Sequence, residues 1–353
     1  MKSNRTTLSP LLGSALFVAA GFGMFLVWDQ WVWWGSKPDY MFGYIVPLFV
    51  AYVVYDRWAR ICHLDTVQPT IVPPRWLQWL INGHATLAMS AGLFIFALGA
   101  TMRASAGPSQ PASLALAVGF AAIVVSMVYL AAADTSCARS PAIEMARGWR
   151  AGWRAWYRQP AVRLTGLFLF PALVWMISAP LVSAVEGALS GFLLQKVTAV
   201  VFFVFDALGL LLERHGNILI LPDGKGTVGV AEACSGIRSL TGSLFSGVFL
   251  AAVFLRPIWK KVALIAAALL LAFATNILRS LFLTSWAYVN GSRAIEGSIH
   301  DGTGFAVLGL TFVGLLALVR VFNFQVPALE PVPAPESDSV SRDLPEPSAA
   351  SQQ

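Results

Sequence analysis

Three residue types in this chain sit in settings suited to thiol chemistry. Glu232-Ala233-Cys234-Ser235-Gly236-Ile237-Arg238 sets a cysteine among polar neighbours where an apolar run begins. A cysteine entering a helix N-terminus feels the partial positive charge of unpaired backbone N–H groups. With Arg238 one turn later, that favours the thiolate, the nucleophilic form. Thr275-Asn276-Ile277-Leu278-Arg279-Ser280 places an arginine near the end of a second apolar run. An arginine at the bilayer centre costs about 2.5–3.5 kcal/mol on insertion scales, so Arg279 is expected to face protein or water. Asn276, three residues earlier, shares its helix face. Ser298-Ile299-His300-Asp301-Gly302-Thr303-Gly304 leads into the last apolar run. Asp301 or Thr303 is expected to cap that helix and leave His300 at its mouth. Imidazole is the usual activator of a thiol. Thiol acyl transfer needs these three: cysteine attacks, histidine moves protons, and arginine holds the thiolate or the developing oxyanion. Glu232 and Ser235 are supporting polar neighbours, and His215 is a rival base. Cys62, Cys137 and Cys234 form no CxxC or metal spacing, which argues against a disulfide framework and a zinc site. No metal or organic cofactor is expected.

The elements that must position these residues are membrane helices. Of 353 residues, 57% are hydrophobic and 12% charged, about half the charge of a soluble domain. A spanning helix needs about 20 mostly apolar residues. Eight segments qualify, approximately 11–28, 40–56, 82–101, 112–133, 164–185, 236–255, 260–287 and 303–321. A ninth apolar stretch, 189–212, reads either as a span or as an amphipathic helix on the surface. Charge bias decides for eight spans. With the N-terminus inside, Arg57, Arg60 and Arg75, the run from Arg139 to Arg163, and Arg256, Lys260 and Lys261 all gather on the inner side. Cys62, Cys137, His63 and His84 fall there too, whereas Cys234, Arg279 and His300 converge on the outer face. The basic, tryptophan-rich run from Arg139 to Arg163 fits anionic lipid better than nucleic acid. Trp28, Trp31, Trp33 and Trp34 read as an interfacial belt. In the outer segment, Asn217–Leu221 and Thr227–Ala231 form a short hairpin around Pro222-Asp223-Gly224. The fold class is thus an all-α polytopic membrane protein of about eight transmembrane helices, with an outer-face amphipathic helix and a short β-hairpin before Cys234. Residues 1–326 form the membrane domain. Residues 327–353, rich in Pro, Ser and Glu, form a disordered cytoplasmic tail.

The blocks Glu232–Leu240, Asn276–Arg279 and His300–Gly304 resemble, in order and spacing, the cysteine, arginine and histidine blocks of the exosortase/archaeosortase family. Gly216-Asn217-Ile218 with Leu221-Pro222 looks like the family's lead-in, and Tyr40–Pro47 like its early block, so the similarity runs from about Tyr40 to about Leu316. The resemblance implies a cysteine peptidase or transpeptidase of the bacterial inner membrane, and the charge bias would put its site on the periplasmic face with both termini cytoplasmic. Its partners would be exported proteins carrying a C-terminal motif, a transmembrane helix and a basic tail, often in species making extracellular polysaccharide. Cys234 would form the acyl-enzyme, His300 would be the acid/base, and Arg279 would stabilise the anion. The family's early block usually has a histidine before its glycine; here Phe42 stands in that place. Two other classes use the same residues differently. A transporter would employ Arg279, Glu232 and Asp206 as intramembrane charge sites, but the polar residues crowd one face and no inverted repeat is visible. An envelope-polymer transferase would more naturally expose paired carboxylates or a His–Asp base.

Overall fold

The computed structural model describes residues 8–69, 71–137, 144–146, 148–229 and 237–323. Helix α1 (Pro10–Ser36) opens on a proline, which lacks the N–H that a first turn leaves unpaired. Ser9 caps it and is itself held by Asp65, its N–H on Oδ2 at 2.6 Å and its hydroxyl on Oδ1 at 2.9 Å. The run expected as one helix over 40–56 is broken. A 3-10 stretch, η1 (Pro38–Ile45), precedes α2 (Val46–Asp56). Pro47 offers no N–H to the Gly43 carbonyl, and Gly43 lies so close under the Trp34 ring that a side chain there would collide. Together η1 and α2 rise about 32 Å, enough to cross a bilayer core.

Then follow α3 (Trp58–Thr66), β1 (Ile71–Val72), α4 (Arg75–Ala106), α5 (Gln110–Cys137), β2 (Glu144–Met145, parallel to β1), α6 (Trp149–Arg158) and α7 (Pro160–Ser178). Helix α8 (Ser183–Ala207) leads to an antiparallel meander of β3 (Glu213–His215), β4 (Ile218–Ile220) and β5 (Thr227–Gly229). The last helices are α9 (Ile237–Phe254), α10 (Ile258–Asn290) and, after the 3-10 turn η2 (Ser292–Ile295), α11 (Ser298–Asn323). The expected hairpin is β4–β5. It gains a third strand, Glu213–His215, because α8 ends at Ala207, short of the expected 212, and frees the chain to turn back on β4. Helix α7 stops at Ser178, short of the expected 185, where Ala179 turns extended before Pro180.

Among the described residues nine helical segments are long and apolar enough to cross a membrane, α8 included. Contacts at its ends show that α8 does not cross. Let the end of the bundle where α1 stops be the upper end. Glu186, at the start of α8, pairs with Lys37 at 2.7 Å just beyond α1. Phe205, near its finish, meets Tyr288 at 5.7 Å near the far end of α10. Lys225, in the β4–β5 turn, donates to the Tyr288 carbonyl at 2.9 Å, and the Ser292 N–H donates to the Lys225 carbonyl at 3.0 Å. After the meander, α9 begins with Arg238 on Asp39 at 3.2 Å, again beside the end of α1. Both ends of α8 are therefore upper, and the chain passes through the bundle eight times. The exposed side of α8 carries Phe192 and Phe203 as well as Lys196, so its two faces are less divided than an amphipathic helix requires.

Large side chains such as Phe17, Met24, Phe94, Leu270 and Phe305 point outward, the arrangement a lipid solvent favours. Inside, close approach rests on small residues. A methyl on Gly119 would come within 2.8 Å of the Gly92 carbonyl of α4, and one on Gly247 of α9 within 2.7 Å of Ala268 Cβ on α10. Polar residues join the upper ends: Asp29, fully buried in α1, meets Arg103 at 2.8 Å and accepts from Ser113. The tryptophan belt is only half what the sequence suggested. Trp28 and Trp31 are exposed, but Trp33 donates to Ser113 at 2.7 Å and buried Trp34 to the Ser178 carbonyl at 3.2 Å.

At the lower end, Arg57 follows α2 and sends its guanidinium to two carbonyls, Leu167 of α7 at 2.6 Å and Ala252 of α9 at 2.9 Å. Pro171 lies four residues after Leu167 and has no N–H to give it. Ala252 lies in the last turn of α9, where carbonyls lack a helical donor. One arginine thus satisfies a proline-orphaned carbonyl and a helix end together.

Candidate active site

Cys234, Glu232 and Ser235 lie outside the described residues. The structure describes the two elements that flank them, β5 and α9, and all the other candidate residues. Helices α9, α10 and α11 pack against one another through most of their length. A methyl on Gly242 of α9 would sit 3.6 Å from Leu308 of α11. Helices α9 and α11 run parallel with equal rise, so Ile237 stands level with Thr303.

Arg279 and His300, 21 residues apart in sequence, are in contact. The Arg279 guanidinium reaches His300 Nε2 at 3.1 Å and the His300 carbonyl at 3.1 Å, and its Nε reaches the Thr303 hydroxyl at 3.4 Å. A guanidinium only donates, so Nε2 is the accepting nitrogen and Nδ1 carries the ring proton. That proton points to Asp301 Oδ1, 3.2 Å away. Arg279 and His300 are half-buried and Asp301 is exposed. Among the described residues no carboxylate pairs with Arg279. Its charge is met by a carbonyl, a hydroxyl and a ring nitrogen, none of which neutralises it.

His300 does not precede its helix as expected. Helix α11 starts at Ser298, so His300 and Asp301 lie in its first turn and neither Asp301 nor Thr303 is its N-cap. Thr303 instead returns its hydroxyl to the His300 carbonyl at 2.9 Å. Below the pair the seam stays polar. Asn276 and Thr275 are buried on α10, with Thr275 bonded to Thr311 of α11 at 3.0 Å. Arg238 is half exposed and turned to Asp39, whose carbonyl also accepts from the Thr241 hydroxyl at 3.0 Å. Asp39 and Thr303 are contacts the sequence did not single out as site residues. Asp39 stands one residue ahead of the early block and Thr303 looked like a cap.

The rival base His215 is exposed on β3, the strand farthest from β5 in the meander. Asp206 is exposed at the C-terminal end of α8. Phe42, in the place where the resembled family has a histidine, stacks on Phe245 of α9 at 5.0 Å. Phe49 continues the stack onto Phe249 at 4.1 Å. Cys62 is buried in α3 at the lower end, where burial first and the Asp65 carboxylate second push its thiol upward.

The eight crossings define a multi-pass membrane protein, and the Arg279–His300 contact gives it a polar centre at one end of a three-helix seam. Residues 33–317 match the family model described as transmembrane exosortase, and the chain belongs to that family. It is a membrane-associated sorting enzyme of the exosortase type, a family of membrane cysteine transpeptidases and proteases. The match begins and ends close to the limits that the sequence blocks suggested. Curated proteins and solved structures give no match.

Proposed function

We propose that this chain is a cysteine transpeptidase or peptidase that cleaves the C-terminal sorting signals of exported proteins at the upper end of the bundle. The upper end would face the periplasm, with both termini in the cytoplasm and the protein in the inner membrane. The observation that carries this reading is the Arg279 guanidinium, without a carboxylate partner among the described residues, resting on the accepting nitrogen of His300. Sequence spacing supports the place of the nucleophile: Cys234 precedes Ile237 by three residues, as His300 precedes Thr303.

The chemistry follows from that resting state. The Cys234 thiol gives its proton to Nε2 of His300. A protonated Nε2 has no lone pair for Arg279, so the guanidinium is released towards the new thiolate. Sγ then attacks the scissile carbonyl carbon, and Arg279 donates to the oxyanion that forms. His300 passes its proton to the departing amine nitrogen, the C–N bond breaks, and a thioester remains. An acceptor amine or water attacks the thioester, His300 takes its proton, and the thiolate leaves. Asp301 holds the ring in the tautomer this needs.

The test is processing of co-expressed exported proteins carrying a motif, a transmembrane helix and a basic tail. Wild type is compared with Cys234→Ala, Arg279→Ala and His300→Ala at equal membrane levels. Loss of cleavage in all three supports the reading. Unchanged processing by Cys234→Ala would sink it.

A further inference from the structure

The lower end carries a helix that the proposed chemistry does not use. Helix α6 has the sequence WRAGWRAWYR and joins α7 through Gln159 alone, so it lies at the depth where the spans leave the bilayer. At about 100° per residue it has three faces. Gly152 and Ala155 are buried against the protein, Gly152 beside Pro74 and Leu77 at the entrance of α4. Trp149, Trp153, Trp156 and Tyr157 form the next face. Trp149 stacks on Trp76 at 5.4 Å, and the Trp156 indole N–H donates to the Tyr129 hydroxyl at 3.2 Å. Arg150, Arg154 and Arg158 make the third face, four residues apart and all exposed. No ion pair among the described residues uses them.

We infer that this arginine face is a binding site for the phosphate groups of anionic phospholipids. Side chains four apart on a helix stand about 5–6 Å from one another, so the three guanidinium groups form a short ladder. Each guanidinium can hold a phosphate with two parallel N–H bonds. The aromatic face fixes the depth of the ladder, because tryptophan and tyrosine settle at the headgroup level with their rings towards the acyl chains. The occupant is lipid, since a helix held at that depth presents its cations to headgroups. A zwitterionic headgroup brings its own cation and is held far less well. Each arginine near an anionic surface contributes roughly fivefold in affinity, so three contribute about a hundredfold.

Full-length protein titrated with phosphatidylglycerol or phosphatidylcholine and read by native mass spectrometry tests this. Wild type is expected to retain phosphatidylglycerol in preference. The triple variant Arg150→Gln, Arg154→Gln, Arg158→Gln is expected to bind it about a hundredfold more weakly. Should the triple variant fail to fold, Arg154→Gln alone, expected to bind about fivefold more weakly, serves in its place. Neutralising Arg60, Arg256 and Arg320, exposed residues at the same end, is expected to change little. An equal loss in that control would overturn the proposal by showing a diffuse field in place of a site. Equal retention of the two lipids by wild type would overturn it too. So would a rise in phosphatidylglycerol binding on removal of residues 327–353, which would make the acidic tail the resident partner of α6.

Discussion

At the scale of single residues, the proton on Nδ1 of His300 governs what the neighbouring groups can do. With Nε2 accepting from Arg279 and Nδ1 donating to Asp301, the ring is neutral and its lone pair lies on the side of the guanidinium. Arg279→Lys keeps a charge but loses the planar fork that reaches Nε2, the carbonyl and Thr303 together. Its expected effect is a fall of about 10²–10³-fold in kcat with KM little changed, measured on a purified sorting-signal substrate. Recovery of wild-type kcat by lysine would mean that Arg279 acts as a point charge only. The other prediction at this scale concerns Cys62. A thiol pushed upward by burial and by Asp65 holds less thiolate at neutral pH than an ordinary cysteine, and alkylation needs the thiolate. Maleimide at neutral pH is therefore expected to label Cys234 well before Cys62, as peptide mapping would show, and Cys62→Ser should leave processing intact. The residue types for this centre were legible in the sequence, since Cys234, Arg279 and His300 each stand out in an apolar chain. The Arg279–His300 contact was not, because it depends on how α10 packs on α11. Nor was the packing of Phe42, because its partner Phe245 lies some 200 residues on, in α9.

At the scale of elements, helices are held by groups that the apolar pattern does not show. Arg57 satisfies the Leu167 carbonyl only because Pro171 withholds an N–H from it. Arg57→Met is expected to destabilise the protein by about 2–4 kcal/mol, since two carbonyls lose their donor in a low-dielectric setting. In a Pro171→Ala background, where residue 171 regains its N–H, the same change should cost about 1–2 kcal/mol less. Thermal or denaturant unfolding of the four proteins in one detergent measures that difference, and a cycle that closes to zero would refute the link. The same elements show where pattern reading stops. The centres of the spans were legible because length and hydropathy determine them. Their ends were not: α4 runs from Arg75 to Ala106 where the apolar run suggested 82–101, and α11 begins at Ser298 where it suggested 303. Polar and aromatic residues continue a helix beyond the bilayer core as readily as they end it. The break at η1 was not read from the sequence, because an apolar count over 40–56 passes over a single proline, Pro47.

At the scale of the whole molecule, α8 is the test of topology. By composition it could cross, and only its neighbours show that it returns to the end where it began. Single cysteines introduced for Gly187 and Leu211, in a background free of the native thiols, are expected to label from the same side of the membrane. One introduced for Arg256 should label from the other. Labelling of Gly187→Cys and Leu211→Cys from opposite sides would make α8 a span and overturn the eight crossings. The eight-span reading was legible from charge bias, because the basic clusters fall at the lower end, whereas the third strand of the meander gave no sign. The Arg57 clasp has a mechanical consequence for the site. It grips α9 near its lower end, at Ala252, and the helix rises about 22 Å from there to Ile237. Movement at the cysteine end is then rotation about a fixed lower point: a tilt of about 2.5° carries the upper end about 1 Å, the scale on which a misplaced reacting group loses rate. Loosening the clasp would blur that lever from the far side of the membrane, without touching any residue at the site.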